Sequence, residues 1–578
     1  MISICKNMIS KIYYSNCIVT FICLFCTITL NAQHKNQHIN KYNRWELPPQ
    51  SCFWPFYADT TNTYNSFKTF AVHCPYINGT IGISFPMFHL DRDYITVDIK
   101  TKYKAERGNV FFTIHSIGMD CNVISADTLS LPVNKDWTEL TYSVPVKCEY
   151  SLEFCIEVNA EDTEENIDKD TQVDIAYLDI SCGEVPLDEI ATAYIPHALS
   201  ASTIKRWGDF LSSPLMDKKI LALGETLHGT QTMSELELEI IKERVINHNC
   251  KLILLEIPLS LGLILNRYVK NDPHFSSFDF IKKSLSEYLV DYMIVLQWIK
   301  DYNKLHNNEV SVLGLDYEYS RLSGRMYMLY FLDRANNEHK YDSLILHLLD
   351  DTRYPQYDIE PNNIIIHDKE LELVLQSINN NKEYKDFDYK IIFRDEKMAE
   401  NTQMICNMLL DTNSTATILE HFLHANYIGA GSFIHNSISM GHLLKDVYQS
   451  DYSCVALTTK QGDAWFPRNI WDMRVSLLPI KEAIEGSLEY EMDKLKGDSV
   501  TFVQTASLPP NVPYSMRTEN AYYSDKKEFG YYIPYKFMDG IICTNQSHHL
   551  NTPPNPLGDS FLFDIYDYIC NKYLKKEK

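Results

Sequence analysis

The sequence has few basic residues for its length. Of 578 residues, 53 are lysine or arginine and 76 are aspartate or glutamate, which gives a formal net charge of −23 at pH 7. No cluster of basic residues stands out, and the lysines within 575–578 are typical of a solvated tail. Nucleic acids and anionic membrane surfaces attract positive charge, so this composition argues against both as partners.

Motifs that would define two other classes of site are also missing. Of the 15 cysteines, 11 lie beyond residue 32, and none of these 11 belongs to a Cys-x-x-Cys pair. This absence disfavours a zinc–thiolate site. No Gly-x-Ser-x-Gly sequence is present either. The serine-esterase class that uses this motif is therefore disfavoured.

The first 32 residues have the pattern of a secretory signal peptide. Lys6 and Lys11 precede an apolar stretch over 17–30, and a small-residue cleavage site ends at Ala32. The apolar stretch is shorter than the roughly 20 residues that a membrane span needs. We expect export to the periplasm or the cell surface, with no membrane span left after cleavage. An uncleaved anchor is the alternative.

Two regions of different periodicity follow the leader. Residues 33–185 alternate between apolar and polar positions in short runs, as in 94–100, which predicts a β-sandwich. Residues 186–578 alternate strand and helix patterns, which predicts a mainly parallel sheet with crossover helices. A helical insertion is expected at about 320–400. The predicted fold class is therefore α/β, with an N-terminal β-sandwich before the parallel-sheet domain.

The last predicted strand of the sandwich, 173–180, is similar to the closing strand of the galactose-binding jelly-roll modules that accompany many secreted enzymes. This resemblance implies a glycan as a partner of the N-terminal domain. Trp45, Phe53 and Trp54 could form the aromatic platform that a sugar requires. A purely structural sandwich accounts for the same pattern, and both interpretations stay open.

Polar side chains end or follow four predicted strands of the second region. Glu225 follows the strand at 220–223, Glu256 follows 252–255 and Asp316 follows 310–315; His421 and His424 follow 416–419. Parallel strands of one sheet point the same way, and ligands of open α/β sheets bind at their carboxyl ends. We therefore expect these side chains to converge on one rim, together with His228.

Histidines among carboxylates suit acid–base catalysis of water attack on a carbonyl. An imidazole has an ordinary pKa near neutrality and can accept a proton from water. A neighbouring carboxylate would fix its tautomer and stabilise the imidazolium. The alternative is a metal-dependent hydrolase at the same rim, because two histidines with several carboxylates can also bind a divalent ion.

Taken together, these motifs resemble the erythromycin esterase family over about 190–570. The similar segments are Gly224-Glu225-x-x-His228-Gly229-Thr230, Leu255-Glu256, Val312-Leu313-Gly314-Leu315-Asp316, Arg394-Asp395-x-x-Met398-Ala399-Glu400-Asn401, Met440-Gly441-His442 and Thr459-Lys460-Gln461-Gly462. The resemblance implies a carboxylic ester hydrolase that needs no metal or other cofactor. Its small-molecule substrate would be an ester, in the best-known members the macrolactone of a macrolide antibiotic, so that such enzymes confer antibiotic resistance.

The resemblance also implies a role for each candidate residue. His228 would be the general base on water, oriented by Glu225 and Glu256. His421 and His424 would bind the carbonyl or the leaving group. Arg394 would stabilise developing negative charge, and Glu400 would line the site.

The chain departs from the family pattern next to these residues. Glu237 stands where the family usually has a basic residue, nine positions after His228, so it reverses a charge in or near the substrate site. Phe422 replaces an asparagine between the two later histidines. These departures favour a third interpretation, a non-catalytic exported glycan-binding protein whose hydrolase domain has decayed.

Overall fold

The structure is a computed structural model. It describes residues 56–64, 67–74, 79–90, 92–107, 109–159, 171–191, 198–272, 289–316, 321–350, 373, 392–429, 438–467, 475–494, 499–517, 529–554 and 560–574. The predicted leader and the candidate platform residues Trp45, Phe53 and Trp54 lie outside the described residues. The described chain divides into two compact units, one within 56–191 and the other within 198–574.

The described residues of the first unit form ten strands and one short helix. These are β1 Phe56–Tyr64, β2 Phe67–Cys74, β3 Gly79–Pro86, β4 Tyr94–Arg107, β5 Asn109–Ile117, β6 Val123–Leu131, β7 Asn134–Lys147, β8 Ser151–Asn159, β9 Thr171–Cys182, β10 Val185–Pro186 and α1 Leu187–Ala191. One sheet has the order β1-β2-β9-β4-β7, with β10 paired to β9, and the other has the order β3-β8-β5-β6. The strand pairs of both sheets are antiparallel.

Apolar side chains from both sheets form one core. Ile83 of β3 and Phe112 of β5 pack in the same buried cluster as Val97 of β4 and Ile175 of β9. The alternation seen in the sequence places every second side chain on this inner face, because successive residues of a strand point to opposite faces. This arrangement confirms the predicted β-sandwich. Glycan binding by this unit stays a prediction.

The second unit contains the remaining strands. These are β11 Ile204–Arg206, β12 Ile220–Glu225, β13 Cys250–Pro258, β14 Ser311–Asp316, β15 Thr415–His421, β16 Tyr452–Thr459, β17 Gly462–Pro467, β18 Val475–Ile480, β19 Val500–Gln504, β20 Tyr514–Arg517, β21 Phe529–Tyr532 and β22 Gly540–Thr544. Eight of them form a sheet of order β11-β19-β22-β16-β12-β15-β13-β14. The pairs from β22 to β14 are parallel, and the pairs that join β19 to β22 and β11 to β19 are antiparallel.

The described helices of the second unit connect and cover these strands. They are α2 Trp207–Leu211, α3 Gln231–Asn247, α4 Leu259–Val269, α5 Met293–Leu305, α6 Arg321–Ala335, α7 Asp342–Asp350, α8 Ile392–Leu409, α9 Phe422–Ala425, α10 Met440–Tyr448, α11 Leu488–Met492, α12 Pro534–Phe537 and α13 Ser560–Tyr573. Helices α6 and α7 and the start of α8 fall in the predicted insertion. The mainly parallel α/β fold of this region is confirmed.

The central strand of the sheet sets the position of the candidate site. Strand β12 lies between β15 and β16, and Glu225 at its end pairs in register with His421 at the end of β15. Strand β13, which carries Glu256, lies on the other side of β15, followed by β14 with Asp316. Four strand ends with polar side chains therefore meet at one edge of the sheet, as the sequence predicted. Among the described residues, no helix has the length and apolarity that crossing a membrane requires.

Candidate active site

A tight turn carries the first pair of candidate residues. Strand β12 ends at Glu225, and α3 begins at Gln231 with Thr230 as its N-cap, whose side chain accepts a hydrogen bond from Met233 N at 3.3 Å. Gly229 has a φ of +77°, and a Cβ there would lie 2.4 Å from the carbonyl oxygen of Trp465. A glycine is required at this position both for the backbone angle and for the space.

A second glycine lets the short helix α9 cross the end of β12. A Cβ on Gly224 would lie 2.8 Å from Cα of Phe422, the first residue of α9. Because α9 follows β15 directly, this close approach sets the position of the segment that runs from His421 to His424. The two glycines of the Gly-Glu-x-x-His-Gly motif thus serve the geometry of both histidine segments.

Glu225 and His228 form a direct pair. Glu225 Oε1 lies 2.5 Å from His228 Nδ1, and the His228 side chain keeps 36% of its surface exposed. Burial of the ring lowers the pKa of His228. The carboxylates of Glu225, Glu256 and Asp291 outweigh that effect and raise the pKa to about 9.

His421 lies beside His228 in a different electrostatic environment. The two ring centroids are 4.7 Å apart, with 34° between the ring planes. His421 is buried, and its Nε2 atom has no hydrogen-bond partner within the part of the chain that the structure describes. Burial and the neighbouring charge of His228 hold the pKa of His421 well below its ordinary value. At neutral pH one ring of the pair is protonated and the other is neutral.

Arg394, from the first turn of α8, connects the other strand ends. Its guanidinium donates hydrogen bonds to Glu256 Oε1 at 2.6 Å, to Asp316 Oδ2 at 2.7 Å and to His424 Nε2 at 3.0 Å. The second oxygen of Glu256 accepts a hydrogen bond from the backbone N–H of His421 at 2.8 Å. Glu256 therefore bridges Arg394 and the backbone of β15.

This network keeps Glu256 ionised. Burial alone would raise the pKa of its carboxyl group. The positive charges of Arg394 and of protonated His228 overcome that effect and hold the pKa well below its ordinary value. The side chains of Arg394 and Glu256 are 16% and 12% exposed, so solvent screens this ion pair weakly.

Both ring nitrogens of His424 are engaged. Nε2 accepts a hydrogen bond from Arg394, so Nδ1 carries the proton and donates to Asp395 Oδ1 at 2.9 Å. The same oxygen of Asp395 accepts a hydrogen bond from Met440 N at 2.8 Å. His424 is thus fixed between α8 and the start of α10, and it holds Arg394 in place instead of turning a free nitrogen towards a carbonyl group.

Glu237 is buried on α3 and lies near the carboxyl groups of Glu225 and Asp291. Only 3% of the residue is exposed, and it lies on the helix face that also buries Met233 and Arg244. Burial and the charges of Glu225 and Asp291 raise the pKa of Glu237 well above its ordinary value. The position where the family usually has a basic residue is therefore occupied by a buried acid near Glu225, and its surroundings favour the uncharged form.

Asp291 was not among the predicted site residues. It lies two residues before α5, and burial together with the charge of Glu225 raises its pKa to about 7. One of its carboxyl oxygens is buried and has no partner among the described residues. It ends no strand and belongs to no motif, so the sequence contains no signal that would place it here. Asp395, the partner of His424, could have been found because it follows Arg394 in the quoted motif.

Glu400 is the one predicted site residue that the structure does not bring to the cluster. Its side chain is 54% exposed, and its carboxylate accepts a hydrogen bond from Lys397 at 2.8 Å. Six residues along a helix correspond to about 240° of rotation, which turns Glu400 away from the face of Arg394. Asn401, one residue further, returns to that face and donates to the carbonyl oxygens of Leu315 and Asp316 at 3.0 and 3.3 Å.

Carboxylates and imidazoles are also metal ligands, so their arrangement bears on metal binding. Within the described ranges, no group of three or more histidine, cysteine, aspartate or glutamate side chains has an arrangement that could hold a metal ion. Glu256 and Asp316 turn their oxygens to Arg394, and His424 is engaged on both nitrogens. Glu256, Asp316 and His424 are thus satisfied by ion pairs and hydrogen bonds within the protein.

A family model and several solved structures are similar to parts of this chain. The model of the family named Erythromycin esterase matches residues 365–546, a segment that contains Arg394, His421 and His424. This match confirms the predicted resemblance of the C-terminal part of the chain to that family. Glu225, His228 and Glu256 precede the matched segment. No curated protein matches the chain.

Among the solved structures, a protein from Bacillus cereus is 16% identical, over 59% of this chain and 92% of that chain, with a TM-score of 0.44. A mutant of the erythromycin esterase EreC in its open conformation is 15% identical, over 59% of this chain and 93% of that chain, with a TM-score of 0.41. A family 16 carbohydrate-binding module is 12% identical, over 26% of this chain and 98% of that chain, with a TM-score of 0.18.

Proposed function

We propose that the second unit is an ester hydrolase in which a water molecule attacks the ester carbonyl beside His228. The observation that carries this proposal is the contact between two histidine rings of opposite pKa shift, one of them paired with Glu225. Such a pair can accept and return a proton within one reaction. The family match at 365–546 supports a hydrolase of the erythromycin esterase type.

The proposed reaction begins with the deprotonated form of His228. Its Nε2 accepts a proton from water as the water oxygen forms a bond to the carbonyl carbon, and Glu225 stabilises the imidazolium through Nδ1. The tetrahedral intermediate then breaks its bond to the alkoxide oxygen. The proton returns from the imidazolium to that oxygen, and an acid and an alcohol leave.

His421 is assigned to the substrate oxygen. Its neutral ring can donate a hydrogen bond to the carbonyl oxygen, where negative charge develops in the transition state. Its Nε2 atom is buried without a partner among the described residues, as expected of a group that a ligand satisfies. Arg394 supplies positive charge behind it, and Glu256 and His424 hold the guanidinium in place.

The test is the replacement of His228 by alanine, assayed on an activated ester such as 4-nitrophenyl butyrate. We expect the turnover number to fall by at least about 100-fold, the lower range for removal of a general base, with an unchanged unfolding midpoint. The matched control is His248→Ala. His248 also pairs with a carboxylate, Asp217, at 2.7 Å, but it lies at the opposite end of α3 and should retain full activity. Full activity of the His228→Ala variant would contradict the mechanism.

A second candidate function rests on Glu237. Where the family usually has a basic residue, this chain has a buried carboxyl group near Glu225, which cannot supply positive charge to an anionic transition state. This loss fits a decayed hydrolase whose chain binds glycan through its first unit. Turnover of any ester by the wild-type protein, lost in His228→Ala, would exclude decay. Absence of turnover over a panel of activated esters would support it.

A further inference from the structure

A second histidine–carboxylate pair lies next to the His228 turn and has no part in the proposed reaction. His549 Nδ1 and the backbone N–H of His549 both lie 2.8 Å from Asp463 Oδ1. The side chains of the two residues are 37% and 38% exposed. Asp463 lies at the start of β17, shortly after β16 ends, and His549 lies shortly after the end of β22. Since β16 and β22 are parallel, both residues are near the same edge of the sheet as the catalytic cluster.

Backbone contacts join this pair to the turn that carries His228. Thr230 forms an antiparallel bridge with His549, and Gln231 N donates to His548 O at 2.7 Å. Gly229 O accepts hydrogen bonds from Trp465 N and Leu550 N, each at 3.3 Å. The segments 461–465 and 547–550 thus lie directly against 229–231. The pair is therefore next to the backbone of the turn that carries His228.

The pair fixes the chemistry of the second ring nitrogen of His549, Nε2. The ionised carboxylate of Asp463 is only an acceptor, so Nδ1 of His549 carries the proton. Burial of Asp463 opposes its ionisation, but the hydrogen bonds from His549 hold the pKa of the carboxyl group below its ordinary value. In the neutral ring, Nε2 then has a lone pair and no proton. It can accept a hydrogen bond but cannot donate one.

Trp465 supplies an apolar surface beside this acceptor. Its ring centroid lies 5.9 Å from that of His549, with 87° between the ring planes. The indole N–H is already used, since it donates to Leu550 O at 2.8 Å. The indole therefore offers a ligand only apolar contact, and the hydrogen-bonding chemistry of the surface is that of His549.

We propose that Asp463, Trp465 and His549 form a substrate-binding subsite beside the His228 turn, in which His549 Nε2 accepts a hydrogen bond from a hydroxyl group of the ester. The inference rests on the proposed hydrolase function and specifies its substrate class, an ester whose alcohol or acyl part carries a free hydroxyl. His549 is a binding residue in this scheme and takes no part in proton transfer to water.

The test compares two esters with the same carbon skeleton, glycerol monobutyrate and propyl butyrate, by titration of the released acid. We expect the wild-type protein to have a KM for glycerol monobutyrate about fivefold below that for propyl butyrate, the effect of one net hydrogen bond. His549→Asn keeps a donor to Asp463 but does not reach the position of Nε2. In this variant the difference in KM should vanish.

Two further variants separate binding from a structural role. His549→Gln places an amide near the position of Nε2 and should retain part of the preference for the hydroxylated ester. His548→Gln, an exposed neighbour, should leave the preference intact. A preference that persists in His549→Asn, or equal KM values for both esters in the wild-type protein, would overturn the inference.

A binding measurement distinguishes failure of the subsite from failure of the proposed function. Calorimetric titration of glycerol monobutyrate onto the wild-type and His549→Asn proteins reports the subsite without turnover. If neither ester is hydrolysed but binding is about fivefold weaker in His549→Asn, the hydrolase proposal fails and the subsite stands. If both esters are hydrolysed and the two proteins bind alike, the subsite fails and the hydrolase stands.

Discussion

At the scale of single residues, the site depends on two histidines that differ in the charges and hydrogen-bond partners around their rings. Nδ1 of His228 faces a carboxylate, and further carboxylates surround it, so its proton is held strongly. His421 is buried, faces the positive charge of the neighbouring ring and has no partner for Nε2 among the described residues. Burial thus acts on both rings, and the partner decides the direction of each shift.

The raised pKa of His228 predicts an alkaline activity profile. A general base acts only in its deprotonated form, so kcat/KM should rise with pH through a midpoint near pH 9 and level off only above that pH. Glu225→Gln removes the charge that holds the proton, and the midpoint of the profile should then move to lower pH. The measurement is kcat/KM for 4-nitrophenyl butyrate across this range, with the background hydrolysis subtracted. A profile that stays flat between about pH 6 and 9 would show that His228 does not limit the reaction.

The sequence predicted the residues that end strands and missed a residue that ends none. Glu225, Glu256 and His421 could be assigned because parallel strands bring their carboxyl ends to one edge whatever their separation in the chain. Asp291 reaches the cluster from the segment before α5, and its position depends on how that helix packs. Spacing along the chain does not encode such packing.

At the scale of elements, the close contact between β12 and α9 brings the two histidine segments together. A Cβ on Gly224 would lie 2.8 Å from Cα of Phe422 and 3.0 Å from Cδ2 of its side chain. The sequence indicated a strand followed by a turn at this position. It did not indicate that the glycine leaves room for another segment, because the contact joins residues about two hundred positions apart.

This contact predicts a large effect of a single methyl group. In Gly224→Ala the new Cβ would meet the backbone of Phe422 at 2.8 Å, so α9 must shift and carry His421 and His424 with it. We expect activity to fall by about tenfold or more and stability by about 1–3 kcal/mol. The assays are ester turnover and the midpoint of urea unfolding.

Gly208→Ala is the matched control for this substitution. Gly208 lies in the short helix α2, and a Cβ there would meet no atom within 4 Å. Alanine should be neutral or stabilising by up to about 1 kcal/mol at a helical position of this kind. If both variants lost equal activity and stability, the close approach of α9 to β12 would not be the reason that position 224 requires glycine.

Helix α8 contains residues of one sequence motif that lie on different faces of the helix. Arg394 and Asn401 lie seven residues apart, almost two full turns, and both contact the end of β14. Glu400 belongs to the same motif but lies on another face of the helix, exposed and paired with Lys397. The motif identified the helix, and the helical period decides which of its residues reach the site.

At the scale of the whole second unit, Arg394 joins elements that the chain connects only through long segments. It binds the ends of β13 and β14 through Glu256 and Asp316, and it binds α9 through His424. The unit places several carboxyl groups at one edge of its sheet. This guanidinium neutralises two of them where solvent screening is weak, since Asp316 is fully buried and Glu256 is 12% exposed.

Replacing Arg394 by methionine should therefore destabilise the second unit, because two buried carboxylates lose their partner and must be protonated or hydrated. We expect a loss of about 3–5 kcal/mol in the free energy of unfolding, measured in urea. Lys251→Met is the control: its pair with Glu309 lies near the start of β13 and is more than 30% exposed, so its loss should be below about 1 kcal/mol. The loss in Arg394→Met should shrink at acid pH, where protonation of Glu256 removes the unpaired charge. A loss as small as that of the control would show that the carboxylates are neutral in the folded protein.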